Sequence, residues 1–389
     1  MYKIKAWLDE NLKGDPIIWG IVILLSIISI LVVYSATSSL AYRKMGGNTE
    51  VYLIKHSSLV LASLVVMWAV HNIPYKYFSK LSLFTLWVSI PLLFITYLFG
   101  SNINEASRWI TIPIINQAFQ PSDLAKLALI AAVAGMLAKR QRNIKDFQGT
   151  FVPIIIWIGI ICLLIAIANM STAIMLLATC LLLMFIGRVP VKYLLVVCMV
   201  GAFALSTAIF MGQRGGVFFY RIEKFLDADP NEIPYQAQHS YIAIATGGLT
   251  GKGPGKSEQR NVLPHPYSDF IYSIIIEEYG MVGGGLVLFL YLALLYRGMR
   301  VVAISTRPFG GLLSAGLSFA LVIQAMINMG VAVGLVPITG LPLPMVSMGG
   351  TSLIFTGISL GIILSISRGD HEDAFPAEIN RVGNMVKVA

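Results

Sequence analysis

Residues 308–367 read PFGGLLSAGLSFALVIQAMINMGVAVGLVPITGLPLPMVSMGGTSLIFTGISLGIILSIS and contain no Asp, Glu, Lys, Arg or His. About 20 apolar residues cross the hydrocarbon core of a bilayer, and a charge at the centre of a span costs roughly 2.5–3.5 kcal/mol. Sixty uncharged residues are therefore enough for two crossings and a connection that itself avoids charge. The stretch predicts a membrane protein and excludes a soluble globule.

The composition of the whole chain agrees with this. Of its 389 residues, 57% are hydrophobic and only 12% are charged, and the mean hydropathy is +0.78. The formal charge of +9 comes from basic residues scattered between apolar runs, which is not the pattern of a nucleic-acid-binding protein. The three cysteines (Cys162, Cys180 and Cys198) also lie in apolar runs, so we expect neither a disulfide framework nor a metal cluster.

Further long apolar stretches with few charges occur along the chain, and together they predict an all-α polytopic membrane protein. The ten predicted transmembrane helices are 17–35, 52–71, 81–99, 121–138, 151–168, 172–187, 193–211, 270–296, 311–330 and 351–367. Seventeen lysines and arginines fall on the side of the amino terminus, and four fall in the short loops of the other side. Because positive loops stay inside, both termini are predicted to be cytoplasmic. We expect one transmembrane domain, 1–368, with a large extracytoplasmic loop at 212–268 and a short cytoplasmic tail at 369–389.

A glycine-rich segment within this large loop, residues 247–257, carries Lys252 and Lys256. Backbone N–H groups and ammonium groups in such a segment suit a phosphate. The spacing does not match a nucleotide-binding P-loop. An anion cradle and a flexible hinge both remain open at this point.

Acidic residues at the start of the eighth span are a second candidate site. Asp269, Glu277 and Glu278 enter an otherwise apolar stretch, which is expensive unless they face water, protein or a ligand. On a helical wheel Glu277 lies about 80° from Asp269 and Glu278 about 180° from it. We therefore expect Asp269 and Glu277 to share a cavity. For Asp269 the alternative is a helix N-terminal acid stabilised by the macrodipole.

Basic residues around the fourth span form a third candidate. Arg108 precedes this span, and Asp123 and Lys126 lie within its first two turns. Asp123 and Lys126 could simply neutralise each other. In the functional alternative, Arg108 and Lys126 bind an anionic lipid headgroup.

The segment 328–350 combines prolines and glycines without a charge. Irregular backbone at membrane depth is tolerated only inside protein or beside a cavity. The segment is therefore predicted to re-enter the bundle and line a cavity.

At these residues the sequence resembles the shape, elongation, division and sporulation family of bacterial membrane proteins, and the division branch more than the elongation branch. The resemblance covers nearly the whole chain. The similar pieces are Ser107-Arg108-Trp109-Ile110, Gln120-Pro121-Ser122 with Lys126, Arg221-Ile222 with Phe225-Leu226-Asp227, residues 245–249 with 251–253, Asp269-Phe270-Ile271 with Glu277-Glu278, and residues 339–344 with Ser347 and Gly349-Gly350.

This resemblance implies a ten-helix enzyme that polymerises lipid II into glycan strands at the outer face of the bacterial cytoplasmic membrane. Asp269 matches the family's essential acid and would act as general base in an inverting transfer. The predicted substrate-binding residues are Arg108, Asp123, Lys126, Arg221, Lys252 and Glu277. A divalent cation, magnesium or manganese, is the candidate cofactor, and no metal ligands are assigned.

The implied partners are lipid II, the undecaprenyl-pyrophosphate-linked glycan, a single-span penicillin-binding transpeptidase and other division proteins at the septum. Two other classes of function remain open. A flippase for the lipid-linked precursor would need polar lining through the full membrane depth. A non-catalytic division scaffold would tolerate neutralisation of every acid.

Three departures from the family pattern are visible. Asp123 stands where the family usually has Glu, and Asn169 stands in a turn that usually carries Asp. Two extra residues separate Asp227 from the proline that often follows it. A mechanism that needs an acid at position 169 is in doubt for this chain.

Overall fold

The computed structural model describes residues 12–44, 49–99, 101–103, 106–112, 117–211, 213–226 and 233–386. Its helices are α1 (Pro16–Lys44), α2 (Glu50–His71), α3 (Lys76–Phe99), α4 (Pro121–Lys139), α5 (Val152–Ala168), α6 (Met170–Ile186), α7 (Val191–Met211), α8 (Gln213–Leu226), α9 (Tyr235–Gly247), α10 (Ile271–Ile304), α11 (Pro308–Ala332) and α12 (Gly350–Val386). Single turns at Gln141–Asn143, Phe147–Phe151 and Gln259–Asn261 complete the helical structure of this part of the chain.

The predicted polytopic helical fold is confirmed. Within the described ranges, eight helices are long and apolar enough to cross a membrane, and α6 and α7 contain shorter apolar stretches. Each of these ten helices overlaps one predicted span. The large loop at 212–268 carries the remaining two helices, α8 and α9.

Local sequence explains several helix ends. Pro121 occupies the first turn of α4, where the missing N–H leaves no hydrogen bond unmade, and Asp123 adds an acid to the same turn. Asn169 ends α5 and begins α6, and its side chain accepts a hydrogen bond from the Thr172 amide at 3.3 Å. This cap allows two apolar helices to meet with only one residue between them.

A small antiparallel sheet lies between α3 and α4, which the sequence analysis does not predict. It consists of β1 (Ser101–Ile103), β2 (Ala106–Ile112) and β3 (Gln117–Phe119) in that order. In the β2–β3 register Ile110 lies opposite Phe119. The aromatic and β-branched run from Trp109 to Ile112 favours a strand over a helix.

Burial separates central helices from peripheral ones. In the most apolar stretch of α11, 72% of the residues are buried, against 67% in α4 and α12 and 28% in α2 and α3. Small residues permit close packing at the centre. A Cβ atom at Gly357 or Gly361 of α12 would collide with the backbone of Ser63 or Met67 in α2.

Helix α10 is interrupted at Gly280, whose φ of 68° and ψ of −172° are not helical. In an unbroken helix the amides of Met281 and Val282 would bind the carbonyls of Glu277 and Glu278. Residues 247–257, which we call the glycine loop, supply the missing partners. Its Lys252 and Gly253 amides donate to the carbonyls of residues 277 and 278, each at 2.9 Å. Its residues 248 and 249 accept from the amides of residues 281 and 282 at 2.9 and 3.3 Å.

This arrangement argues against an anion cradle in the glycine-rich segment and gives its glycines a packing role that neither alternative foresaw. A side chain at Gly251 would collide with the Glu278 carbonyl, and one at Gly280 with the Leu249 carbonyl. The glycines therefore permit two backbones to approach within hydrogen-bonding distance. The loop bridges the kink of α10, and the amides of Lys252 and Gly253 are not available to cradle a phosphate.

Candidate functional site

A cavity of about 380 Å³ lies where the first turns of α4 and the segment before α10 meet. Its polar lining includes Lys55, Gln120, Asp123, Lys126, Asn169, Thr172, His265, Tyr267, Ser268, Asp269, Gln324 and Ser352. Leu59, Trp109, Leu341, Pro342, Met348 and three glycines, Gly340, Gly349 and Gly350, complete the lining. The predicted re-entrant segment thus lines a cavity, as expected from its prolines and glycines.

The predicted general base, Asp269, lies in this lining. Its Oδ1 accepts a hydrogen bond from the Ser268 hydroxyl at 2.9 Å. Its backbone carbonyl accepts a bond from the side-chain amide of Asn328, also at 2.9 Å. The same amide binds the Leu341 carbonyl at 2.7 Å. One side chain of α11 therefore holds the acid and the re-entrant segment in a common position.

Further bonds join the re-entrant segment to the residues before α10. The Ser347 hydroxyl donates to the Ser268 carbonyl at 2.6 Å, and the Met348 amide donates to the Tyr267 carbonyl at 2.8 Å. The backbone is thus held at Asp269 and at the two residues before it. Such anchoring leaves the Asp269 carboxylate at a fixed place in the cavity wall, as a general base requires.

Asp123 and Lys126 also face this cavity, and they form an ion pair with a separation of 2.8 Å. Lys126 lies 3.5 Å from the side-chain oxygen of Gln324. The second carboxylate oxygen of Asp123 is buried without a hydrogen-bond partner. The pair partly supports the structural alternative, but both side chains border the space that a ligand would occupy.

Arg221 lies beside the site rather than in the cavity lining. Its guanidinium donates to the Ile338 carbonyl at 3.1 Å, two residues before Gly340. Burial lowers the pKa of Arg221, and the negative charge of Asp269 opposes that shift. The predicted cation is therefore close enough to Asp269 to interact with it electrostatically.

Glu277 does not share the cavity with Asp269, so the helical-wheel expectation is wrong. The wheel assumed a helix from residue 269 onward, but α10 begins at Ile271 and Asp269 precedes it. Glu277 is fully buried and contacts the glycine loop instead. Its carboxylate accepts bonds from Lys252 at 2.9 Å, from the Ser257 hydroxyl and from the amide of Glu258 at 3.0 Å.

Lys252 is likewise absent from the described cavity lining. Its ammonium contacts Glu277 at 2.9 Å and Glu258 at 3.4 Å. Burial alone lowers the pKa of Lys252, but its hydrogen bond and ion pair with Glu277 outweigh this and raise it. In the structure Lys252 and Glu277 support the α10 kink and are absent from the described lining of the Asp269 cavity. Their assignment as substrate-binding residues stays a prediction.

Glu278 contacts the glycine loop and α1. It accepts bonds from the Ser35 hydroxyl and from the Ser257 amide. Arg260 lies 3.9 Å from the same carboxylate and also donates to Ser35 at 2.8 Å. Glu277 and Glu278 therefore both contact the glycine loop, although a helical wheel places them on different faces.

Two other predicted features lie outside the part that can be described. Arg108 belongs to β2, but its side chain falls outside the described residues, as does the Asp227–Pro230 insertion. Arg108 remains a prediction from the resemblance. Its neighbour Trp109 does line the cavity.

Sequence reasoning missed several cavity residues. Lys55 of α2 is a cation in a predicted span, and the same signal that identified Lys126 could have found it. Gln324 and Asn328 are amides four residues apart on α11. A search for charges alone passed over them, although buried amides in an apolar helix also need partners.

Whether a divalent cation fits the cavity depends on the side chains that could coordinate it. No group of three or more His, Cys, Asp or Glu side chains within the described ranges could hold a metal ion. Magnesium is nevertheless commonly bound by one or two carboxylates together with substrate phosphates. The carboxylates of Asp123 and Asp269 fit this second mode, in which the substrate supplies the remaining oxygens.

Comparison with known proteins gives a consistent result. The family model for cell cycle proteins of the FtsW, RodA and SpoVE type matches residues 15–372. A probable peptidoglycan glycosyltransferase FtsW from a Geobacter species is 33% identical over 360 residues, covering 91% of this chain and 96% of the relative. Stage V sporulation protein E of Bacillus subtilis is 30% identical over 365 residues, covering 92% and 98%.

Solved structures agree with these sequences. A chain from a peptidoglycan synthase complex, in a study of coordinated polymerization and crosslinking, matches with a TM-score of 0.73 at 26% identity, covering 92% of this chain and 98% of that one. The rod shape determining protein RodA of Thermus thermophilus matches with a TM-score of 0.65 at 26% identity, covering 91% and 97%. This chain is therefore a multi-pass membrane protein that belongs to the FtsW, RodA and SpoVE family of cell cycle proteins.

Proposed function

We propose that this chain is a peptidoglycan glycosyltransferase of the division branch, which polymerises lipid II at the outer face of the bacterial cytoplasmic membrane. The observation that carries the assignment is the anchored Asp269 carboxylate in a cavity that also holds Lys126. An acid and a cation in one cavity suit a reaction that removes a proton and releases an anion.

In the proposed reaction Asp269 accepts the proton of the acceptor hydroxyl as that oxygen attacks the anomeric carbon. The bond between this carbon and the lipid pyrophosphate breaks, and the pyrophosphate leaves with the electron pair. A single displacement inverts the configuration, so an α-linked donor becomes a β-linked strand. One base is sufficient for this chemistry, which agrees with the separation of Asp269 from Glu277.

Charge on the leaving pyrophosphate requires stabilisation. Lys126 and Lys55 line the cavity, and Arg221 lies beside Asp269. Asp123 keeps Lys126 in place through their ion pair. A divalent cation held by the pyrophosphate and the cavity carboxylates would add to this neutralisation when bound.

The shape of the interior favours a polymerase over a flippase. A smaller cavity of about 50 Å³ lies beside the Asp123–Lys126 pair. Its described lining is mixed: the polar side chains include Gln324, Thr356 and Ser359, and the apolar ones include Leu127, Ile130 and Met175. A space of this size is too small for a headgroup with two phosphates.

The proposed partner is a single-span penicillin-binding transpeptidase, with which the chain would work at the division septum beside other division proteins. The support is the likeness to the peptidoglycan synthase complex and to relatives named FtsW. A non-catalytic scaffold would assemble with the same proteins, and the two functions differ in whether Asp269 is needed for polymer.

The test is Asp269→Asn, which removes the basic oxygen and keeps the size. Lipid II polymerisation by the purified complex, followed on gels, should fall by about 10²- to 10⁴-fold, the usual loss when a general base is removed. Glu223→Gln is the matched control, because Glu223 is an exposed acid on α8 near Arg221. Normal polymer from well-assembled Asp269→Asn protein would reject the catalytic assignment in favour of the scaffold.

A further inference from the structure

A second cavity lies at the opposite end of α4 from Asp269. Its volume is about 630 Å³, and its lining consists of residues 141–146, after α4, with Arg188, after α6. We call it the basic cavity. Helix α4 separates the two cavities by 19 residues, which corresponds to about 28 Å along its axis.

The two segments of the basic cavity are held together by hydrogen bonds. The side-chain amide of Gln141 donates to the carbonyls of Leu137 at 3.2 Å and Gly187 at 3.4 Å. The Thr150 hydroxyl donates to the Asn143 carbonyl at 2.9 Å. The cavity is therefore a defined part of the fold between two connected turns.

Positive charge exceeds negative charge in the lining of the basic cavity. Arg142, Lys145 and Arg188 line it, all three are exposed, and none forms an ion pair with a described residue. The one acid of the lining, Asp146, accepts a bond from the Gln148 amide at 3.1 Å and caps the next turn. Three cations around one space favour an anion with several oxygen acceptors.

Arg188 adopts an unusual backbone conformation, with a φ of 66°. It follows the C-cap Gly187, and the amides of residues 188 and 189 bind the carbonyls of residues 185 and 184 at 3.0 Å each. Glycine is the residue normally found at this position of a helix end. A non-glycine residue with this positive φ is strained. The arginine places a guanidinium at the cavity, so a role in ligand binding would explain why the strain is retained.

Aromatic side chains lie next to the lining residues of the basic cavity: Phe147 follows Asp146, and the Tyr193 hydroxyl donates to the Lys145 carbonyl at 3.4 Å. Phe147 stacks on Phe151, and both contact Tyr193 at centroid distances of 5.2 and 5.0 Å. Phe147 begins the apolar span that continues to Ala168, and its side chain is 47% exposed. Aromatic residues at the ends of membrane spans are typical of the boundary between headgroups and acyl chains.

We propose that the basic cavity binds the phosphate headgroup of an anionic phospholipid from the adjoining leaflet. Arg142, Lys145 and Arg188 contact the phosphate, and the exposed ring of Phe147 contacts the acyl chains. The ligand is a membrane lipid because the lining residues 141–146 connect two apolar helical segments, Pro121–Lys139 and Phe147–Ala168, that are long enough to cross a bilayer. Such a connection is expected at the bilayer surface. Basic pockets on the cytoplasmic side of membrane proteins recognise such headgroups.

The experiment compares the parent chain with a triple variant, R142Q/K145Q/R188Q. The control K76Q/K80Q/R300Q removes three exposed cations elsewhere. Each protein is placed in nanodiscs of phosphatidylcholine with phosphatidylglycerol, extracted into detergent, and analysed for retained lipid by native mass spectrometry. The affinity of the triple variant for phosphatidylglycerol should fall on the order of 100-fold, because each basic residue contributes to surface attraction. Equal retention by the triple variant and the parent would overturn the proposal.

Two further measurements separate lipid binding from folding and from phosphate binding. R188G suits the backbone conformation better, so it should keep or raise the melting temperature in detergent while it lowers phosphatidylglycerol retention about fivefold to tenfold. Retention equal to that of the parent would contradict the role of Arg188.

Short-chain phosphatidylglycerol should raise the melting temperature of the parent more than inorganic phosphate does. Equal shifts would identify a free-phosphate site and reject the lipid.

Discussion

Lys252→Met should loosen the glycine loop, because it removes a cation from a fully buried carboxylate. Lys252 lies 2.9 Å from Glu277, which is 0% exposed. After the substitution Glu277 keeps the Ser257 hydroxyl and the backbone amides of residues 258 and 259 as donors. The carboxylate would therefore remain hydrogen-bonded but would lose its counter-charge.

The free-energy cost of Lys252→Met depends on how deeply Lys252 and Glu277 are buried. Removing one partner of a buried ion pair costs about 3–5 kcal/mol. Lys252 is 22% exposed, and the remaining donors of Glu277 reduce the loss, so about 2 kcal/mol is expected. Local opening of the loop should then be roughly 30-fold more frequent, since 1.36 kcal/mol corresponds to a factor of ten.

Hydrogen exchange of the Gly253 and Met281 amides measures this opening directly, because both amides bond across the kink. Lys256→Met is the matched control, since Lys256 is an exposed lysine of the same loop. Adding Glu277→Gln to Lys252→Met should slow exchange again, because the uncompensated charge is then gone. Equal exchange in the Lys252 and Lys256 variants, or no recovery in the double variant, would refute this account of the loop.

Two other predictions concern the Asp269 cavity and the orientation of the chain. Lys126→Met should reduce lipid II polymerisation by at least tenfold while the melting temperature changes little, because Asp123 borders the cavity and can be solvated there when its partner is lost. Parental activity would leave Lys126 a purely structural partner. In a cysteine-free variant, a single cysteine at the exposed position 256 should react with an impermeant maleimide in intact cells, whereas one at position 143 should not. Labelling at 143 would reverse the orientation.

Charge placement made the helical part of the fold predictable. A charge is excluded from the centre of a span, so uncharged runs such as 308–367 locate helices whatever packs around them. The small sheet around Trp109 was not predictable in this way, because short strands in a loop carry only a weak alternating pattern. Several helix ends also differ from the predicted ones: α1 continues to Lys44 and α10 to Ile304.

The residues of the candidate site were predictable where a charged side chain stands among apolar neighbours in the sequence. Asp269 and Lys126 stand out as charges near apolar spans, and both line the cavity. Glu277 shows the same contrast but lies elsewhere, because its position depends on where α10 begins and on the loop that bridges Gly280. The glycine loop is separated from Glu277 by about 20 residues of sequence. The spacing of apolar residues in α10 therefore does not indicate that the two are in contact.

The neutral residue at position 169 changes the charge balance of the cavity rather than its shape. Asn169 lines the cavity and accepts a bond from the Thr172 amide, as a carboxylate in the same place could. With Asn at this position, the charged side chains of the described lining are Lys55, Lys126, Asp123 and Asp269. Arg221 beside Asp269 then adds positive charge. With Arg221 included, the cations around this space outnumber the acids by three to two. Under the proposed mechanism, the absence of an acid at position 169 favours binding of the anionic donor, and Asp269 takes the proton.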